Sequence, residues 1–287
     1  MIYIYAIAYY CTDYILNSIH SLRDSTREEF NLTVFENQSS NSPLIRQLLE
    51  REVHNGNIDT YIAFSENLLS SAVKYAYKLN PPGADSEHFI VITDLDLKVP
   101  DNIDWVEELR RRFAYPEVGL VAFDLDLINY ETPVSAQFRR LVSKLAVRLP
   151  YPFGPALRMV PDAWPRRGHN SGHLFSTESA LDTRYQIYKG LYSGGWLLGM
   201  RKHIFDRFVE TYDTCLDRHL NHFAQSLGFV IGRMPAKLYH YGWDAWKDYP
   251  EYNKYKLSIL RQFHNEAREL SSYEIITKVE RTETTRK

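Results

Sequence analysis

Apolar residues recur along the first half of the chain in two alternating rhythms. Short runs rich in β-branched and aromatic side chains, Ile2–Tyr9, Leu32–Phe35, Tyr61–Phe64 and Phe89–Thr93, have the make-up of buried strands. Between them apolar residues return every three or four positions: Ile15, Leu16, Ile19 and Leu22, then Leu44, Ile45, Leu48 and Leu49. That spacing gathers them on one face of a helix. Thr12 or Asp13 suits the cap of the first helix, which the pattern carries to about Arg23. Ser65-Glu66-Asn67 opens a helix that runs through Leu79 and breaks at Pro81-Pro82-Gly83. A helix with Trp105, Leu109 and Phe113 inward follows, then a strand over Val118–Phe123. Strand–helix units joined by short connections predict an α/β fold with a mainly parallel sheet flanked by helices.

The second half carries a different signal. From about Phe138 to Leu149 an amphipathic helix is predicted, with Phe138, Leu141, Val142 and Leu145 on one side and Arg139, Arg140, Lys144 and Arg148 on the other. The Pro- and Gly-rich stretch after it adds Arg158, Arg166 and Arg167 against the single acid Asp162. The basic segment 139–167 suits contact with anionic headgroups or a phosphate-bearing acceptor; a solvated helix face accounts for the same charges. Residues 280–287 read as a frayed tail.

Size and composition fit one large α/β domain or a domain with an appended subdomain: 287 residues, 44% hydrophobic and 24% charged. A net charge of −2 supplies no global field for nucleic acid. Two cysteines, Cys11 and Cys215, cannot build a disulfide framework, which suits a reducing cytoplasm. Met1–Tyr10 reads as a first strand, not a signal peptide, and no apolar run reaches the roughly 18–20 residues of a membrane span. The expected location is therefore the cytoplasm, with the basic segment as a peripheral contact to the inner face of a membrane. With 21 Tyr and 14 Phe the chain is rich in rings that stack on sugars or bases, although a tyrosine-rich core explains the same count.

The sharpest chemical feature is Asp94-Leu95-Asp96, at the end of the Phe89–Thr93 run and ahead of Pro100. Acids at i and i+2 on a strand end point the same way and can reach one hard divalent cation. A second pair, Asp124-Leu125-Asp126, also follows an apolar run. Chain order favours the first, because it falls at the carboxyl edge of an inner parallel strand, where open α/β sheets bind ligands.

Several motifs, taken in order, resemble the GT-A nucleotide-sugar glycosyltransferases, most closely the inverting family-two-like group. After the first strand and helix comes Glu36-Asn37-Gln38-Ser39, similar to that group's nucleotide loop. Phe64-Ser65-Glu66-Asn67 then leads into a helix with small residues at Ser70, Ser71, Ala72 and Ala76, like the segment beneath the nucleotide. The Asp94-x-Asp96 motif follows. Gly194-Gly195-Trp196 resembles the acceptor-side segment that precedes a helix, here His203–Thr211. Asp217 stands eleven residues upstream of Gly228, a spacing similar to that of the catalytic base, although Leu216 replaces the usual preceding Glu. Asp213 is the rival, expected at the same helix entry.

The resemblance implies a donor half over residues 1–130, an acceptor and catalytic half over 131–250, and a C-terminal helix and tail over 251–287. It implies transfer from a nucleoside diphosphate sugar, UDP by family frequency, to a carbohydrate or glycolipid hydroxyl, in cell-surface polysaccharide or glycolipid assembly. Tyr9, Glu36, Asn37, Asn67, Asp94 and Leu95 would border the donor, and Gly194, Gly195 and Trp196 the acceptor. Asp94, Asp96 and His240 would hold Mn²⁺ or Mg²⁺. One displacement with Asp217 as base predicts inversion. Each assignment has a plainer counterpart: core packing for Tyr9, an Asx turn for Asn37, a hydrogen-bonded core imidazole for His240, a helix cap for either base candidate. A nucleotidyltransferase would also use paired acids, but the loop Ala8–Thr12 lacks the Gly-rich basic cradle of a triphosphate site. A non-catalytic nucleotide-sugar or carbohydrate binder remains the alternative from another class.

Overall fold

The computed structural model describes residues 1–84, 87–125, 187–188, 197–241, 248–249, 251–252, 267–278 and 281–285. The first half follows the predicted alternation: β1 (Ile2–Ala8), α1 (Thr12–Asp24), β2 (Phe30–Glu36), α2 (Ser42–His54), β3 (Thr60–Phe64), α3 (Ala72–Leu79) and β4 (Phe89–Asp94). Next come β5 (Leu97–Lys98), α4 (Trp105–Phe113), β6 (Val118–Leu125), β7 (Ile187–Tyr188) and β8 (Leu198–Arg201). Then follow α5 (Lys202–Thr211), α6 (Asp217–Ser226), β9 (Val230–His240), β10 (Ser272–Thr277) and β11 (Arg281–Thr285).

Among the described residues the strands form one mixed sheet in the order β11-β10-β3-β2-β1-β4-β8-β6-β9-β5, with β7 on β9. β3, β2, β1 and β4 run parallel. β8 is antiparallel to both β4 and β6, and β6 is parallel to β9. The carboxyl ends of β4, β6 and β9 therefore share one edge of the sheet. That edge is where an open α/β sheet leaves room for a ligand.

Helices cover both faces because strand side chains alternate. Ile2, Ile4, Ala6 and Ala8 of β1 join Ile15, Ile19 and Leu22 of α1, Ile45 and Leu49 of α2, and Trp105 of α4 in one apolar layer. Tyr5, Ile90 and Ile92 turn the other way, onto Val73 and Ala76 of α3, Phe205 and Phe208 of α5, and Leu220 of α6.

Four local expectations change. Cys11, not Thr12 or Asp13, occupies the cap of α1 and makes no side-chain bond there. Leu44 is 59% exposed: the buried face of α2 runs through Ile45, Leu49 and Val53 instead, at i, i+4 and i+8. The third helix does not start at Ser65, because Leu69 has φ of +52° and only a short 3₁₀ turn, Leu69–Ser71, precedes α3. Nor does the chain fray after residue 280. β10 pairs antiparallel with β3 and β11 pairs with β10, so the C-terminal tail is partly sheet. The amphipathic and basic segment 139–167 and the expected C-terminal helix beyond Tyr252 lie outside the described residues.

Candidate active site

Asp94 is the last residue of β4 and is exposed, whereas Thr93 before it is fully buried. The Leu95 amide donates to the Ile7 carbonyl at 2.9 Å, which continues the β1–β4 pairing one step past the strand. Alternation then turns Leu95 into the core at 2% exposure and returns Asp96 to the side of Asp94. Leu95, expected against the donor, can offer only backbone there. The second acid pair sits differently: Asp124 is inside β6, in register with Lys237 of β9, and Asp126 lies outside the described residues.

Pairing of β5 with the end of β9 sets Leu97 opposite His240 and Lys98 opposite Tyr239. The Tyr241 amide donates to the Asp96 carbonyl at 2.7 Å. Residues separated by more than 140 positions thus form one short ribbon, and His240 Nε2 lies 3.2 Å from Asp96 Oδ2. Neighbouring ligands of an octahedral ion about 2.1 Å from each stand about 3.0 Å apart, so this oxygen–nitrogen pair fits a small divalent cation. Among the described residues no group of three His, Cys, Asp or Glu side chains converges on one point. Asp96 and His240 would supply two ligands, leaving the rest to donor oxygens or water, with Asp94 flanking them on the same edge.

The ribbon rests on α1. Tyr14, Ser18 and Ser21 are buried on one stripe of that helix. The Leu97 amide donates to Ser18 Oγ at 3.0 Å and the Val99 amide to Ser21 Oγ at 3.3 Å. The Tyr14 ring stacks on Tyr241 with centroids 4.8 Å apart and planes 2° from parallel. Its hydroxyl donates to Asp248 at 2.7 Å, and the Tyr249 hydroxyl donates to Asp13 at 3.2 Å. Tyr9, expected to stack on a base, is part of this tyrosine cluster, 6.4 Å from Tyr10 and 6.1 Å from Tyr252 between centroids. Tyr10 adopts φ of +63° at the turn out of β1.

At the tips of β2 and β3 the expected donor residues are committed to the protein itself. Asn37 Oδ1 accepts from the Leu68 amide at 2.7 Å and Asn37 Nδ2 donates to the Leu69 carbonyl at 3.3 Å. Asn67 Oδ1 accepts from the Leu69 amide at 2.9 Å. Together they hold Leu69 in the left-handed region, a conformation that costs energy for a side chain of this size. Glu36 is 2% exposed and accepts a 2.7 Å bond from the Tyr61 hydroxyl. Burial pushes its carboxyl above the usual range, opposed by hydrogen bonds from Ser42 and Tyr61 and the charge of Arg46. A cavity of about 590 Å³ opens beside it, between α2 and the β3–β10 pair, lined by Gln38, Ser42, Arg46 and Glu274 among others. Neither Asp94 nor Asp96 lines it.

A carboxyl with a raised native pKa favours the fold while it is protonated and costs stability once pH rises through that pKa. Glu36→Gln is therefore expected to be at least as stable as the native chain at pH 7. Its advantage should close as pH falls below the ordinary value of 4.5. Urea denaturation of both proteins between pH 4 and 8 checks this, and a constant difference across that range would refute it.

The two base candidates fall in different settings. Asp217 is the first residue of α6, half-buried, with Leu216 at the cap. Because α6 leads into β9, which runs parallel to β6, the start of α6 lies at the same sheet edge as Asp96. The Cys215 amide donates to the Ser70 carbonyl at 2.8 Å, fixing that start against the loop ordered by Asn37 and Asn67. Asp213 is not on the helix. It lies in the linker, exposed, with Lys74 Nζ at 2.6 Å, and that ammonium pulls its carboxyl further below the usual range. Gly194, Gly195 and Trp196 lie outside the described residues. What sequence reasoning missed is the α1 stripe. Its signal was polar Ser18 and Ser21 set between the apolar positions of an inward face.

No family model matches the chain, and no curated protein sequence matches it. Among solved structures it resembles Staphylococcus aureus TarS residues 1–349, with a TM-score of 0.51 at 12% identity over 83% of this chain and 60% of that one. Against a longer TarS structure the TM-score is 0.52 at 13% identity, covering 93% of this chain and 40% of that one. The chain thus spans less than two thirds of either TarS chain. A third similar structure is the mannosyltransferase PcManGT of Pyrobaculum calidifontis in complex with GDP-Man and Mn²⁺, with a TM-score of 0.49 at 15% identity over 92% of this chain and 65% of that one. The likeness to the two TarS structures is one of fold, a mainly parallel mixed sheet of the GT-A type with flanking helices. The chain has a GT-A fold. In that fold the mixed sheet, the exposed end of β4 and the β5–β9 ribbon form one continuous edge. No helix among the described residues is long and apolar enough to cross a membrane.

Proposed function

We propose that this chain is a metal-dependent glycosyltransferase that moves a sugar from a nucleoside diphosphate to a hydroxyl acceptor with inversion. The observation that carries the reading is the closure of Asp96 on His240 at the tip of β4. Two distant segments bring a hard oxygen and an imidazole to the ligand edge of a GT-A sheet. Mn²⁺ or Mg²⁺ held there would act as a Lewis acid on the diphosphate oxygens. Asp94, exposed on the same edge, would face the ribose or a bound water.

Asp217 takes the acceptor proton while the hydroxyl oxygen attacks the anomeric carbon, and the bonding pair of the broken carbon–oxygen bond leaves with the diphosphate. One displacement turns the anomeric centre over. Asn37 and Asn67 order the loop against which the start of α6 is fixed. Gly194 and Gly195 allow close backbone approach by the acceptor. A carbohydrate or glycolipid acceptor of cell-surface assembly, with the basic 139–167 segment meeting anionic headgroups, completes the reading.

The test is Mn²⁺-dependent thermal stabilisation across UDP, GDP, CDP, ADP and their sugars. A ligand at a hundred times its Kd stabilises the native state by about 2.7 kcal/mol, which appears as a rise of several degrees in Tm. One nucleotide should stand out, only with the metal present. No shift with any of them would reject the proposal.

A further inference from the structure

The stripe on α1 faces the proposed metal ribbon along its whole length. Tyr14, Ser18 and Ser21 recur at i, i+4 and i+7, which places them in line on one helix face. Each meets a successive part of the ribbon: Tyr14 stacks on Tyr241, next in sequence to His240; Ser18 accepts from Leu97, next to Asp96; Ser21 accepts from Val99. β5 has only two residues, and its ladder to β9 satisfies one side of it. The amides on its other side would be buried without partners were α1 apolar there, at a cost of about 1–3 kcal/mol each. Serines in the inward face of a helix are otherwise unfavourable, since they lower helix propensity and bury a hydroxyl.

From this juxtaposition we infer that Tyr14 and Ser18 are positioning residues for the metal site: they fix the β5–β9 ribbon so that Asp96 and His240 hold ligand spacing. The inference rests on the metal reading above. Outer-shell partners of metal ligands contribute about 10–100-fold in metal affinity. The stripe acts through backbone amides and a ring stack, so it sets where the ligands stand and leaves their chemistry unchanged.

The experiment is a double-mutant cycle read by Mn²⁺ binding, with free Mn²⁺ followed by electron paramagnetic resonance. The full chain is titrated alone and with UDP or GDP present. Ser18→Ala and Tyr14→Ala are each expected to weaken Mn²⁺ binding about tenfold, and Tyr14→Phe, which keeps the stack, by less than about twofold. In a His240→Gln background Ser18→Ala and Tyr14→Ala should have almost no further effect, because with one of the two ligands gone there is no ligand spacing left for them to set. Equal losses in both backgrounds would show a general effect on the fold and overturn the inference. So would native affinity in Ser18→Ala and Tyr14→Ala beside a weakened His240→Gln, which leaves the metal reading intact. Native affinity in His240→Gln itself overturns both. Should Tyr14→Ala fail to fold, Ser18→Ala decides alone.

Discussion

Asp96→Ala is expected to abolish Mn²⁺-dependent binding of the nucleoside diphosphate and to lower sugar transfer about a thousandfold. A Lewis acid at a diphosphate contributes several kcal/mol, and each decade of rate corresponds to about 1.36 kcal/mol. The fold should survive. What the main chain of Asp96 contributes, its carbonyl accepting from Tyr241, is kept by alanine. The side chain is 23% exposed, so no deep cavity opens. Calorimetry of UDP or GDP with Mn²⁺, together with a melting curve, checks both halves. Undiminished nucleotide affinity in a folded variant would remove Asp96 from the site.

Asp217→Asn should separate binding from chemistry. Donor affinity and Mn²⁺ dependence are expected to stay within about twofold of native, while transfer falls about 10²–10⁴-fold, the usual contribution of a general base. Asn is well tolerated at a helix start, so α6 keeps its beginning. Asp213→Asn provides the contrast. It breaks an exposed pair with Lys74 at the surface and should leave turnover near native. Initial rates with saturating donor, alongside nucleotide affinity, read the difference. Full activity in Asp217→Asn would move the base elsewhere.

Much of the sheet was legible because its signal is local. A run such as Phe89–Thr93 is β-branched and aromatic throughout, and it stops at a pair of acids. The inward residues of α4 declared themselves by period. What misled was chemistry that local pattern cannot weigh. Leu44 matched helical spacing, but α2 begins only two residues before it, and Ile45, Leu49 and Val53 already fill the buried stripe. The start of α3 was set too early because Asn67 spends its side chain on the Leu69 amide and stops the chain from coiling there. Asp96 is legible from the acid pair at a strand end and His240 only from the family resemblance, and their meeting depends on a two-residue strand that no periodicity reveals. Ser18 and Ser21 were passed over because a hydroxyl in an apolar stripe makes sense only once its amide partner is known. β10 was missed for a similar reason. Its side chains are mostly half-buried, which blurs the alternation from which a strand is read.

The outer side of β3 bonds to β10, where Ile62 pairs with Ile275. While the polypeptide is being made, that side stays bare until residues more than two hundred positions later emerge, roughly ten to forty seconds at about 5–20 residues per second. An unpaired strand bordering such apolar neighbours can recruit another chain's strand instead. Aggregation during expression should then depend on how soon Ser272–Thr277 arrives, and slower translation downstream of β3 would be the harmful kind.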